Sequence, residues 1–311
     1  MMPDLLSHPS SLMAGALVLD GLLGEPKRWH PLVGFGRWAA WVERHTYAPS
    51  RVRGVFTLAM TLAPPVGISL ILSHLAHGWG TAFSLWALYF ALGLRSLHDH
   101  VRPICQALDR QDEKAARQAT AAIVSRDEAT LSILPATCES VLENGNDGVF
   151  GALFWFWLGG APGVILYRLA NTLDATWGYK SARYRHFGWA TARFDDLLNW
   201  APARLTAFTY AVLGKFRHAL ACWSRQAPRW DSPNAGPVMA SGAGALRIRL
   251  GGWACYGGEW HERPPLGCGR PPQRGDIDRS LALVRHGAIL WALLAMVVTW
   301  VPPLWSLSSH A

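Results

Sequence analysis

Long uncharged stretches alternate with short charged ones along this chain. Between Gly54 and Leu94, 41 residues pass without an Asp, Glu, Lys or Arg. A single membrane-crossing helix takes about 20 residues. The stretch therefore predicts two helices, 54–75 and 79–97, joined near His77-Gly78-Trp79. Pro64 and Pro65 interrupt the first, which a membrane helix tolerates when neighbours satisfy the freed carbonyls. Apolar runs at 11–24 and 287–305 predict a first and a last membrane segment, and 148–167 and 201–214 are further candidates. Gly159-Gly160-Ala161-Pro162-Gly163 lies inside the run 148–167 and should break a helix there. A broken span, a re-entrant hairpin and a buried helix pair all fit that break. Asp109 to Leu134 reads as a polar, Ala-rich helix, whereas 226–245 and 257–276 are rich in Pro and Gly. The expected fold class is mainly α: a polytopic α-helical membrane protein with cytoplasmic helical and loop segments, a single domain over 1–311.

Composition agrees. Only 16% of residues are charged and 17 are Trp, where soluble domains carry about 25% charge and indole rings favour the bilayer interface. Lys and Arg are placed unevenly. Glu25 to Arg53 carries six, Lys215 to Arg285 carries eleven, and the first 19 residues and the tail after His286 carry none. By the positive-inside rule both termini lie outside and the charged loops lie in the cytoplasm, which predicts a multi-pass protein of the inner (plasma) membrane. The apolar run 12–23 has no preceding Lys or Arg and reads as a retained segment rather than a cleaved signal. The net charge of +8 fits anionic lipid or anionic substrates, and no nucleic-acid module is present. Five cysteines at irregular spacing argue against a disulfide framework. Cys255, His261 and Cys268 match no common zinc spacing.

The candidate chemistry lies where apolar runs end. Glu139, Glu143 and Asp147 are spaced four apart, so a helix puts them on one face, where like charges repel. Mg²⁺, alone or with a nucleotide, would relieve that repulsion. Arg168, Asn171, Thr172 and Asp174 follow the glycine-rich break, and Tyr179, Lys180, Arg183, Tyr184 and Arg185 come next. Guanidinium forks suit phosphate oxygens, although membrane-surface snorkelling accounts for some basic residues in such places. Asp195, Asp196 and Asn199 form a second acidic group, and Ser232-Pro233-Asn234-Ala235-Gly236 a compact turn able to present backbone N–H groups to an anion. No Walker loop, nucleophile elbow or zinc-protease motif occurs.

In order, these clusters resemble the CobD/CbiB family of adenosylcobinamide-phosphate synthases. The matching blocks are Leu19-Asp20-Gly21-Leu22-Leu23-Gly24-Glu25-Pro26 with His30-Pro31 and Gly34-Phe35-Gly36-Arg37, Glu139-Ser140-Val141-Leu142-Glu143-Asn144 with Asp147-Gly148-Val149, the glycine-rich break with Tyr167-Arg168 and Asn171-Thr172-Leu173-Asp174, and Asp195-Asp196-Leu197-Leu198-Asn199. Ser232 to Gly236 and Arg249-Leu250-Gly251-Gly252 complete them, so the resemblance covers nearly the whole chain. Gly145-Asn146 and Pro237 depart from the family pattern.

The resemblance implies ATP-dependent amide-bond formation. A propionate carboxylate of adenosylcobyric acid is activated by phosphorylation, and the amine of an aminoalcohol phosphate attacks it. It implies ATP and Mg²⁺ as cofactors. The partners are a corrinoid, the aminoalcohol phosphate, the lipid bilayer and other membrane enzymes of nucleotide-loop assembly. On this reading Glu139, Glu143 and Asp147 hold Mg²⁺-nucleotide. Arg168, Asn171, Lys180, Arg183, Ser232 and Asn234 bind substrate or phosphate. Asp174, Asp195 and Asp196 hold a second cation or act as base. Two other classes compete: a Mg²⁺-dependent prenyltransferase-like enzyme, which also places acids beside spans, and a transporter or non-catalytic corrinoid partner, whose acids would lie midway along spans.

Overall fold

The computed structural model describes residues 7–26, 30–76, 78–179 and 181–300, and the side chains of all of these except Trp300. The first half comprises α1 (Pro9–Leu23), α2 (Pro31–Thr46), α3 (Arg51–Ser73), α4 (Trp79–Ala91), α5 (Leu94–Asp109), α6 (Glu113–Ala121) and α7 (Ile133–Gly145). A π-helical turn, Asn146–Phe150, leads into α8 (Gly151–Trp177). Then come α9 (Tyr184–Phe187), α10 (Trp189–Leu213), α11 (Phe216–Gln226) and α12 (Ala235–Leu246). A hairpin, β1 (Arg249–Tyr256) and β2 (Glu259–Gly267), precedes α13 (Arg274–Trp300). The protein is thus mainly α, and three of its helical stretches are long and apolar enough to cross a membrane: Arg51–Ser73, Ile133–Trp177 and Arg274–Thr299.

The second of these is not a straight rod. Gly160 has φ 57° and ψ −147°, which interrupts the helix. The Tyr167 hydroxyl donates to the Asp147 carbonyl at 3.0 Å. A continuous helix would separate residues twenty apart by about 30 Å, so the chain doubles back at Gly160. A Cβ at Gly163 would lie 2.4 Å from Trp155 O, and one at Gly151 2.0 Å from the Tyr167 hydroxyl. Glycine at both positions lets the two arms touch. The run 148–167 is therefore a hairpin whose open end carries the acids.

Two expectations need correction. The segment 79–97 is not one helix: α4 stops at Ala91, and the Gly93 amide donates to Gly148 O at 2.9 Å before α5 begins. Thirteen residues of α4 rise about 20 Å, short of a hydrocarbon core of about 30 Å. The polar stretch 109–134 is not one helix either, since only Glu113–Ala121 forms a regular α-helix, capped by Asp112. The Pro- and Gly-rich 226–245 contributes most of α12, and 249–267 forms the β-hairpin. By contrast α3 runs unbroken through Pro64 and Pro65. The join at His77 and the end of the segment 287–305 lie outside the described residues, and α10 contains 201–214 up to Leu213.

All twelve residues of α12 are buried. Small side chains make that packing feasible, as a Cβ at Gly242 would meet Leu142 at 2.7 Å and one at Gly244 would meet His218 O at 2.8 Å. Close approach over small residues is how helices pack where burial offers no polar alternative. The Ser232–Asn234 turn enters α12, so this packing also places that turn against α10.

Candidate functional site

The open end of the hairpin, the first half of α10 and the turn before α12 enclose a cleft of about 590 Å³. Glu143, Asp147, Asp174, Asp195 and Asp196 line it. An adjoining polar trough shares Glu143, Asp147, Asn171 and Asp174, and continues past Ser140 and Asn144 to Arg126 and Arg168.

Buried amides hold the acids in place. Asn199 Nδ2 donates to Asp195 Oδ2 at 3.1 Å, and Asn171 Nδ2 to Asp195 Oδ1 at 3.4 Å. Asn146 Nδ2 donates both to Asp147 Oδ1 at 2.9 Å and to Asn199 Oδ1 at 3.0 Å. Thr206 donates to Asn146 Oδ1 at 3.0 Å. Gly178 clears space for Asp174, since a Cβ there would fall 2.0 Å from its Oδ1. The π turn places Asn146 between the two acids, and such turns recur at functional sites.

These acids are hydrogen-bonded but poorly compensated. Burial, then the charges of Asp147 and Asp174, pushes the Asp195 carboxyl up to about 8. Burial also raises Asp196, with Arg193 3.6 Å away opposing it. At the rim, the Arg185 guanidinium makes no hydrogen bond or ion pair with a described residue.

Other expected residues are engaged elsewhere. Glu139 is not free to ligate a cation. Arg126 and Arg263 both pair with it, the latter at 2.6 Å, and the Gly251 amide donates to it at 2.8 Å. It ties α7 to β1 and β2. Arg183 does not reach the cleft; it pairs with Glu43 at 2.9 Å and stacks on Tyr47. Glu43 also takes the Trp177 indole N–H and the Tyr184 hydroxyl. Ser232 and Asn234 line the cleft but act locally. The Ser232 hydroxyl accepts from the Asn234 and Ala235 amides, leaving those amides unavailable to an anion. Asn234 bridges Arg204 and the Asp196 carbonyl. Arg168 lines the trough and not the acid-floored cleft. Lys180 lies outside the described residues.

Among the described residues, no three His, Cys, Asp or Glu side chains are gathered as a ready metal cluster. The donor set still suits a hard divalent cation. Oxygen ligands dominate, several acids share one cleft, and burial beside Asp147 and Asp174 raises the Asp195 carboxyl, a strain that a cation would relieve. Asp147, Asp174 and Asp195 are the residues that fit it.

The sequence marks Asn199 beside Asp195 and Asp196, and Arg185 among the basic residues, but it gives Asn146 and Tyr167 no place in the site. Arg185 stands three residues before Gly188, which also lines the cleft.

The fold and the cleft define a mainly α protein of membrane type with a carboxylate-floored site beside its apolar helices. The family described as CobD/Cbib protein matches residues 13–284. "Cobalamin biosynthesis protein CobD" of Stutzerimonas stutzeri (strain A1501) is 54% identical, covering 92% of this chain and 97% of its own. The protein of the same name from Chromobacterium violaceum is 54% identical over 90% of this chain and 94% of its own. That from Mycobacterium tuberculosis (strain H37Rv) is 39% identical over 91% and 93%. The chain belongs to the CobD/CbiB family, the adenosylcobinamide-phosphate synthase family, and is an enzyme. No solved structure matches it.

Proposed function

We propose that this enzyme of cobalamin biosynthesis joins adenosylcobyric acid to (R)-1-amino-2-propanol O-2-phosphate, or a related aminoalcohol phosphate, at the expense of ATP. The product is adenosylcobinamide phosphate. One observation supports the proposal beyond family membership: a poorly compensated carboxylate floor, Asp147, Asp174 and Asp195, with Arg185 and Arg193 at its rim. Phosphoryl transfer to a carboxylate needs this pairing of cation-holding acids and phosphate-holding guanidinium groups.

Asp147, Asp174 and Asp195 would hold Mg²⁺, which would supply neutralising charge to phosphoryl oxygens. Arg185 and Arg193 hold the phosphate groups of the substrates. Asp196, which lines the cleft outside the cation-holding set, takes a proton from the substrate ammonium and so frees the amine to attack. Asn171, Asn199 and Asn146 fix the acids in position and so lower the cost of orientation. Glu143 and Asp147 separate the cleft from the trough, where the corrinoid carboxylate and the aminoalcohol phosphate enter from opposite sides.

A transporter reading fits less well. Its broken helices carry their polar groups at the break, near the bilayer midplane. Here the break, Gly159 to Gly163, is uncharged and the acids lie at the opposite end of the hairpin. The distribution of Lys and Arg supports a multi-pass inner-membrane protein with the cleft facing the cytoplasm.

Carboxylate activation is tested with adenosylcobyric acid labelled with ¹⁸O in its free carboxylate. One label atom per turnover should appear in released inorganic phosphate. Label confined to the amide product, with none in phosphate, rules out an acyl-phosphate route.

A further inference from the structure

The proposed reaction leaves Arg168 unused. Arg168 lines the trough beside Glu143, and it also lines a second cavity of about 580 Å³. That cavity is a groove between α2, α3, α4 and α8, walled by Phe35, Trp38, Ile68, Leu72, Trp86 and Phe90. Its size is within the range of about 300–1,000 Å³ typical of ligand sites. Arg168 is the only Asp, Glu, Lys or Arg on it among the described residues. The Arg168 Nε is buried and has no hydrogen-bond partner. Of the other polar groups on the groove, Ser69 donates to Val66 O at 2.7 Å, the Trp38 indole N–H donates to Thr61 O at 3.1 Å, and His30 packs on Phe90 with its Nε2 3.5 Å from Glu25.

A guanidinium with an unsatisfied buried donor beside apolar walls is costly unless something pairs with it. The groove is also open to the apolar exterior of α3, where Phe56, Met60, Ile68 and Ile71 are exposed. An apolar channel reached from a lipid-facing surface, with one cation where it meets the polar interior, complements an anionic amphiphile. The planar guanidinium fork matches phosphate oxygens.

We propose that this groove binds an anionic phospholipid drawn from the surrounding bilayer. One acyl chain lies along Trp38, Ile68 and Leu72, and the phosphate sits on Arg168. The lipid then forms part of the wall between the bilayer and the polar trough. The site shares Arg168 with the trough, but lipid binding there does not depend on the amide-forming reaction.

The test uses the full-length protein in an uncharged detergent. It is incubated separately with dioleoyl phosphatidylglycerol, dioleoyl phosphatidylcholine and inorganic phosphate, and retained molecules are counted by native mass spectrometry. Phosphatidylglycerol should be retained about fivefold better than phosphatidylcholine, the scale of one basic contact with an anionic headgroup. Inorganic phosphate should neither be retained nor displace it. R168Q should erase the preference. Gly34 lines the groove, and a Cβ there meets nothing within 4 Å. G34F should therefore fold, fill the groove and reduce phosphatidylglycerol retention with Arg168 intact. Equal retention of the two lipids, or full retention in G34F, overturns the proposal. So does displacement of phosphatidylglycerol by inorganic phosphate, which would identify a site for free anions.

Discussion

The Tyr167 hydroxyl lies 2.8 Å from Asn199 Oδ1 and joins the returning arm of the hairpin to α10. The same oxygen accepts from Asn146, and the amide nitrogen of Asn199 holds Asp195. One buried asparagine therefore couples the hairpin, the π turn and the cleft. Y167F should cost about 1 kcal/mol of stability, the net worth of one buried hydrogen bond. Thermal unfolding in detergent measures the loss. Because Asn199 keeps Asn146, turnover should fall less in Y167F than in N199L, which leaves Asp195 held by Asn171 alone among the described residues.

Glu139 and Glu143 stand one helical turn apart and should respond in opposite ways. E139Q leaves Arg126 and Arg263 without their shared charge, and breaking a buried pair in this way costs about 3–5 kcal/mol. The β-hairpin should become open to protease and the unfolding midpoint should drop. The Glu143 carboxylate accepts no hydrogen bond from a described residue. E143Q should keep the midpoint and lose turnover. Equal loss of stability in both variants would show that Glu143 is structural too.

Gly178 tests whether the position of Asp174 matters. Its backbone φ of −71° suits alanine, but a Cβ there would fall 2.0 Å from Asp174 Oδ1 and 2.7 Å from the Asp174 carbonyl oxygen. G178A should displace that carboxylate, and misplacement of about 1 Å can cost about 100-fold in rate. Steady-state kinetics should show the loss in kcat, with the fold intact by circular dichroism.

The pH dependence follows from Asp195. Its carboxyl is raised to about 8 in the folded protein, chiefly by burial and then by Asp147 and Asp174. The unfolded chain loses that proton near pH 4. Between about pH 4 and 8 the folded state holds more protons, so stability falls as pH rises through this window. A cation binding to the ionised carboxylate expels the proton, so Mg²⁺ affinity should rise with pH, by at most about tenfold per unit for one proton. Calorimetric titration at pH 6.5 and 8.5 measures the effect. D195N should flatten both trends.

The sequence-level reading located the apolar segments because period and charge depletion are local properties. It also marked Gly159 to Gly163 as a break without choosing among three geometries. The choice depends on Tyr167 meeting Asp147 across the turn, a contact that local pattern does not encode. Asp147, Asp174, Asp195 and Asp196 were legible as chemistry, and they do converge on one cleft. Glu139 and Arg183 were misread for a shared reason. Their partners, Arg263 and Glu43, lie 124 and 140 residues away in the chain. An acid on a helix face looks free until its long-range counter-ion is known. The β-hairpin was missed although Gly257-Gly258 carries a signal, with both residues at positive φ between two strands. That dipeptide suits a two-residue hairpin turn, but the surrounding Pro and Gly hid it.

The amide-forming activity itself is tested most directly with purified protein, adenosylcobyric acid, aminopropanol phosphate and Mg-ATP, following corrinoid products by mass spectrometry. Adenosylcobinamide phosphate should form together with ADP, both dependent on the corrinoid and both lost in D195N. Absence of the amide product, with no corrinoid-dependent ADP from folded wild-type protein, would contradict the assignment.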